Sequence, residues 1–275
     1  PENIAYWMAF QLLTGNADTQ NRNMYLYSPQ NSSTWYILNW DNDGMLRRKE
    51  REILHFTDSE SWEWGISNYW GNVLFRRCLQ TASFREQLDT AVRELHDYMN
   101  TDRIEEMVAH YRTITEQYVW QAPDVLYLPV TKPQYDAIAA ALPEEIEENY
   151  QQYPEGYHSP MPFHIGTPSI QNGVLQLGWD ASYDFNAEAI SYTVELARDY
   201  LFQQVLYREE NVVLPLAQTA APGAGQYFVR VRATNTSGYT QDAFDYYVID
   251  TGKVYGVKCF YIQPDGSVVE DTYEE

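Results

Sequence analysis

With 275 residues, 44% of them hydrophobic, and with 24 Tyr and 8 Trp, the chain has the material for two ordinary folded domains rather than a disordered segment. A formal charge of −21 argues against binding nucleic acid or an anionic membrane mainly through electrostatics, because both need phosphate-neutralising Lys and Arg. The two cysteines, Cys78 and Cys259, offer neither zinc-type spacing nor a disulfide framework, and no apolar run reaches the length of a transmembrane helix.

Ile4, Trp7, Met8, Phe10, Leu12 and Leu13 behind Pro1-Glu2 predict a helix, which Thr14-Gly15-Asn16 should stop through a left-handed Gly15 or Asn16. The β-favouring runs Met24 to Tyr27 and Thr34 to Trp40, with turn residues between them, predict a hairpin. Arg47, Arg48, Lys49 and Arg51 form the one dense basic cluster, expected to be an exposed helix start or loop. From Ser59 the pattern becomes helical, beginning at Ser59-Glu60-Ser61-Trp62-Glu63 and continuing through Trp70 to Leu79, Ser83 to Met99, a helix capped at Thr101-Asp102, and Gln134 to Tyr150. Trp62, Trp64, Tyr69 and Trp70 are expected to pack beside this helical core.

Residues 153 to 168 read as a Pro-, Gly- and Tyr-rich linker. Beyond it the period becomes two, in short runs separated by turn residues: Val174 to Trp179, Ile190 to Ala197, Leu201 to Tyr207, Asn211 to Leu216, Gln226 to Thr234 and Ala243 to Ile249. That alternation predicts a β-sandwich. A last hairpin is expected around Gln263-Pro264-Asp265-Gly266, followed by an acidic, solvated end. The five histidines never fall in metal-ligand pairs.

The stretch richest in chemistry runs from Asn16 to Gly44. Metal-assisted phosphoryl transfer needs oxygen ligands for Mg²⁺ or Mn²⁺ and an acid that orients the attacking hydroxyl. In kinases an Asp, an Asn five residues later, and an Asp beyond a following hairpin fill these roles. Asp18, Asn23 and Asp41 stand in that order, with Asp43 as a further candidate. The same residues also suit ordinary turn and cap chemistry. An EF-hand reading of Asp41-Asn42-Asp43-Gly44 fails, since the Gly comes too early and no acid closes the loop.

Leu13-Thr14-Gly15-Asn16-Ala17-Asp18, Asn23-Met24-Tyr25-Leu26-Tyr27, Trp35 to Asp43, Asn72 to Arg77 and Phe84-Arg85 together resemble the spore coat protein CotH kinase family over roughly the first 160 residues. The resemblance implies an atypical protein-kinase-like fold that transfers phosphate from ATP to Ser or Thr of coat or surface proteins. Asp18 would be the catalytic acid, and Asn23, Asp41 and Asp43 would hold Mg²⁺ or Mn²⁺. It also implies an extracellular, cell-surface or spore-coat location. The chain opens at Pro1 without an initiator Met and contains no G-x-G-x-x-G. It is therefore expected to be a fragment, the helical lobe without its nucleotide lobe, and inactive by itself, with ATP and metal acting only in the full-length parent.

Leu177-Gly178-Trp179-Asp180, Tyr192 to Leu196, Leu214-Pro215-Leu216 and Gly225 to Asn235 look like strands of a fibronectin type III domain, with Trp179 as core aromatic and Tyr227 as corner tyrosine. The expected organisation is multidomain α+β: residues 1–160 the kinase-like C-lobe with its β-hairpin, 166–250 an all-β, immunoglobulin-like sandwich, and 251–275 a C-terminal hairpin and acidic tail. A second reading stays open, in which the same fold serves adhesion or assembly at a surface or coat without catalysis.

Overall fold

A computed structural model describes residues 2–56, 62–250 and 252–271. The chain divides into two compact units. Unit 1 comprises Pro1–Asp58 and Trp64–Pro154, and unit 2 comprises Ser59–Glu63 and Glu155–Glu275. The expected helix start at Ser59 lies largely outside the described residues, as does Pro1.

Unit 1 is built on helix α1 (Glu2–Leu13), whose Ala5, Trp7, Met8, Ala9, Gln11, Leu12 and Leu13 are all buried. A helix apolar nearly all round belongs inside a fold rather than on its surface. Trp7 stacks on Phe75 at 5.3 Å, and Tyr69 stands edge-on to both rings. Strands β1 (Met24–Tyr27) and β2 (Tyr36–Asn39) pair antiparallel, and Asn3 on α1 both donates to and accepts from the backbone of Ile37. Then come α2 (Arg48–Ile53), α3 (Ser67–Trp70), α4 (Val73–Gln80), α5 (Ala82–Tyr98), α6 (Thr101–Val119) and α7 (Lys132–Gln152). Asn72 and Asn100 cap α4 and α6 with their side-chain oxygens, and Thr131 with Gln134 forms a capping box at α7.

The basic cluster is absorbed locally. Arg47 pairs with Glu50, Arg48 with Glu148 and Lys49 with Glu52, while Arg51 lies over the Phe56 ring. Glu145 on α7 accepts from the Arg48 backbone N–H at 3.0 Å and so ties α7 to the start of α2, while its Oε2 is buried without a partner among the described residues. Burial raises the Glu145 carboxyl above the ordinary glutamate value, with the Arg48 N–H and charge opposing and Glu148 reinforcing.

Unit 2 is two sheets around a shared core. Strands β3 (Ser169–Gln171), β4 (Val174–Gly178) and β7 (Leu216–Ala220) make one, in the order β3-β4-β7. The other runs β13-β12-β8-β5-β6, from β5 (Ile190–Ala197), β6 (Val205–Val212), β8 (Gly225–Asn235), β12 (Val257–Ile262) and β13 (Val268–Glu270); β9 (Thr240–Asp242) pairs onto β8. Leu175 and Leu177 from the first sheet meet Val194, Leu196, Tyr227, Val229, Val231, Phe260 and Ile262 from the second, with Trp179 beside them. This is the expected alternation, every second side chain facing the partner sheet.

Strands β10 (Tyr246–Ile249) and β11 (Gly252–Tyr255) form a separate hairpin, and Tyr247 meets Phe228 edge-on at 4.9 Å. Phe228, Val257 and Cys259 belong to a second apolar cluster against which Tyr247 and Val254 pack. Residues 252–271 therefore belong to the sheet structure of this unit, since β12 pairs with β8 along its whole length. The sequence places that segment apart because the pairing joins residues about thirty positions distant, which local pattern cannot register. Trp62 also departs from expectation. It belongs to unit 2, where it stands edge-on to Phe244 at 5.1 Å and donates to the Phe244 carbonyl.

Two outcomes test this packing. Tyr227 is fully buried and its hydroxyl donates to the Gly223 carbonyl at 2.7 Å, so Tyr227→Phe should lower stability by about 1 kcal/mol in denaturant titration, and no loss would contradict that bond's role. For Glu145, a folded-state pKa above the unfolded one means a contribution that is present at low pH and lost as pH rises through the folded value. Glu145→Gln should therefore gain stability relative to wild type between about pH 4.5 and about pH 7.5 in paired thermal melts; an equal offset at both would contradict it.

Candidate functional site

The site region begins where α1 ends. Gly15 adopts φ +61°, its N–H donates to Leu12 O, and the Asn16 N–H reaches back to Gln11 O at 3.0 Å. This is the pairing of a Schellman termination, which calls for glycine at the left-handed position. Asn149 on α7 donates to Leu13 O and caps the same end. The chain then enters a short 3-10 turn, Ala17–Thr19, with Asn16 as its cap accepting from the Asp18 N–H at 3.2 Å.

Several buried groups hold that turn. Thr19 is fully buried, and its hydroxyl meets the Tyr69 hydroxyl at 3.0 Å. Tyr69 is buried as well, and burial pushes its phenol well above the ordinary tyrosine value, so it stays protonated and able to donate to Asn16 O. Asn68 donates to Ala17 O at 3.2 Å and Asn72 to Gln20 O at 2.8 Å. Thus α3 and the start of α4 supply three side chains to the loop that carries Asp18.

Asp18 and Asn23 come together. The Asn23 amide donates to Asp18 Oδ2 at 2.8 Å, and Arg22 pairs with Oδ1 through Nε at 2.6 Å and Nη2 at 2.5 Å. Asn23 takes φ +56°, a left-handed conformation that Asn tolerates better than most residues, and it turns the chain from the loop into β1.

Asp41 follows β2, also with positive φ, and both Asp41 and Asp43 are exposed. Neither makes a hydrogen bond or ion pair among the described residues. Between them Asn42 turns inward, its Oδ1 accepting from Gln11 at 3.1 Å and from Asn16 at 3.4 Å. Gly44 lies against the acid loop: a Cβ there would come within 2.8 Å of Asn16 Oδ1 and 3.3 Å of Asp18 Cβ. Leu46 N–H donates to Thr14 O at 2.8 Å and closes the approach. The hairpin end is thereby seated on the turn that carries Asp18.

Asn23, Asp41 and Asp43 are all oxygen donors, the type that suits Mg²⁺ or Mn²⁺. Among the described residues no three His, Cys, Asp or Glu side chains converge closely enough to hold a metal ion unaided. Magnesium sites of phosphoryl-transfer enzymes commonly have few protein ligands, with substrate phosphates and water completing the shell.

Beside the site, one face of the hairpin carries Tyr25, Tyr27, Tyr36, Leu38 and Trp40, all exposed, with Trp40 edge-on to Tyr25 at 5.2 Å. Gln11, Asn42, Asn68, Tyr69 and Thr19 carry no motif signal as site residues.

The region thus joins a half-buried turn that carries Asp18 to a hairpin end with two exposed acids, in a mainly helical unit. The sequence model of the family described as CotH kinase protein matches residues 2–153, and the chain belongs to that family. No curated protein matches. Among solved structures, the twitchin kinase region from C. elegans is similar at 15% identity over 36% of this chain and 20% of its own, with a TM-score of 0.26. The surface layer protein SbsC, domains 1–6, is similar at 14% identity over 98% of this chain and 38% of its own, with a TM-score of 0.18. The chain spans about a fifth and about two fifths of the lengths of these two structures.

The close approach at residue 44 gives a direct test. Gly44→Ala should cost about 1–3 kcal/mol, because the atom it meets first belongs to a buried, hydrogen-bonded Asn16 that has little room to yield. Chemical denaturation checks this, and an unchanged midpoint would mean that the hairpin end is not seated on the acid loop.

Proposed function

We propose that the polypeptide containing this chain is an ATP-dependent protein kinase that phosphorylates Ser or Thr of surface or coat proteins outside the cell. The observation that carries the reading is the contact of Asp18 with Asn23 at 2.8 Å, beside a hairpin end that presents two exposed acids. In this reading Asp18 orients the acceptor hydroxyl and takes its proton as the oxygen attacks the γ-phosphorus of ATP, and ADP departs. Asn23 and Asp41 hold Mg²⁺ or Mn²⁺, with Asp43 beside them. When bound, the metal neutralises charge on the β- and γ-phosphate oxygens.

The 275 residues carry no glycine-rich phosphate motif, and this reading leaves the grip on the nucleotide to other groups. The exposed aromatic face of the β1–β2 hairpin, adjoining Asn23 and Asp41, is the surface against which such groups would pack; apolar patches of this kind mark interaction surfaces. We assign unit 2 a fibronectin type III-like role as spacer or binding module, supported by the buried Trp179 and by the Tyr227 hydroxyl bonded to a carbonyl four residues upstream.

One observation favours the non-catalytic reading, adhesion or assembly on the same fold. Both oxygens of the Asp18 carboxylate are engaged, by Arg22 and by Asn23. Phosphate transfer from radiolabelled ATP with Mn²⁺, measured on the longest natural polypeptide that includes this chain, decides between them. Asp18→Ala and Asp41→Ala should each lower the rate by about 10²-fold or more. Transfer that is absent from wild type, or unchanged in Asp41→Ala, would overturn the kinase assignment.

A further inference from the structure

Gln11 is 1% exposed near the C-terminal end of α1, a helix whose other buried residues are apolar. A buried amide is costly unless its polar atoms are bonded, so an apolar side chain would serve packing alone more simply. Every polar atom of the Gln11 side chain is used, and each bond runs toward the candidate site. Its Nε2 donates to Asn39 Oδ1 at 3.0 Å and to Asn42 Oδ1 at 3.1 Å, and its Oε1 accepts from Asn16 Nδ2 at 3.0 Å. Asn16 precedes Asp18 by two residues and holds the Asp18 N–H; Asn39 precedes Asp41 by two, and Asn42 lies between Asp41 and Asp43.

We infer that Gln11 is the positioning residue of this site: one side-chain amide, anchored in the buried helix α1, sets the spacing between the loop that carries Asp18 and the hairpin end that carries Asp41. The inference rests on the phosphoryl-transfer reading for its purpose, though not for its geometry. The network consists of neutral amides, so it fixes two acid-bearing segments without adding charge that would compete for a cation. Both segments bond to one planar group, so neither can shift without breaking its bond to Gln11. Groups bonded directly to metal ligands, once removed, typically weaken metal binding by about 10–100-fold, and Gln11, which acts through the neighbours of the ligands, is expected at the lower end of that range.

The test uses the 275-residue chain with Gln11→Met, close in length and without side-chain hydrogen bonds, beside Val92→Ala, a buried residue of α5 outside both loops, as a destabilised control. Two quantities are read. Hydrogen exchange follows the Asp18 N–H, bonded to Asn16, and the Leu46 N–H, bonded to Thr14. Mn²⁺ alone is titrated by electron paramagnetic resonance, with Asp41→Asn reporting which binding belongs to the site. Gln11→Met should speed exchange at both amides together and weaken site-bound Mn²⁺ by about 10-fold or more, whereas Val92→Ala should do neither selectively.

Faster exchange at only one amide, or at neither, would overturn the inference. So would unchanged Mn²⁺ affinity in Gln11→Met when Asp41→Asn abolishes binding. Wild-type Mn²⁺ binding that is indifferent to Asp41→Asn would instead remove the phosphoryl-transfer reading, while the exchange measurement still decides whether Gln11 couples the two segments. If Gln11→Met does not fold, Asn39→Ala and Asn42→Ala break the same links from the hairpin side and are held to the same two readouts.

Discussion

Unit 1 depends on one constraint, the burial of α1 together with the polar residue near its C-terminal end. A helix covered on nearly every side can end only where its last carbonyls find partners, and here Gly15, Asn16 and Asn149 supply them. The turn this forces puts Asn16 and Asp18 beside α1, and the Gln11 amide then fixes the hairpin end against them. Substituting an apolar residue at Gln11 would preserve the core and release the loops. Packing and site geometry thus meet in one side chain.

Support comes from a second direction as well. Tyr69, Asn68 and Asn72 approach the acid loop from α3 and the start of α4, through hydroxyl or amide groups bonded to Thr19 or to backbone carbonyls. The Asp18 turn is therefore held from both sides by neutral donors, whereas Asp41 and Asp43 remain exposed. Neutral second-layer groups with charged groups left in solvent is an economical arrangement for a cation site, because no carboxylate has to be desolvated before a cation arrives. Unit 2 rests on different physics, a two-sheet core in which alternate residues interlock and the buried Tyr227 secures the loop before β8.

Much of this was legible in the sequence, for identifiable reasons. The helix of residues 2–13, the hairpin, the long α5 and α6 and the alternating strands announce themselves through period and caps, which are local properties. The contact between Asp18 and Asn23 follows from their five-residue spacing across a turn. The Gln11 network was not legible, since it joins residues about thirty positions apart and a lone glutamine in an apolar helix carries no signature. The same holds for Trp62, whose partner Phe244 lies 182 residues away, and for β12, whose place beside β8 only the pairing register reveals. The strand boundaries between residues 201 and 220 also shifted, to Val205–Val212 and Leu216–Ala220, because Leu201 and Phe202 sit in a turn organised by the Asp199 carboxylate.

The proposed cation-binding face is formed by the oxygens of Asn23, Asp41 and Asp43. With 39 Asp and Glu residues, many weaker sites compete for any cation. Titrating Mn²⁺ into ¹⁵N-labelled protein and following paramagnetic line broadening distinguishes them residue by residue. Asn23 and residues 41–44 should broaden first and at the lowest metal concentration. Early broadening along the acidic stretch Glu144–Glu148, or uniform broadening across both units with no preference for the hairpin end, would contradict it.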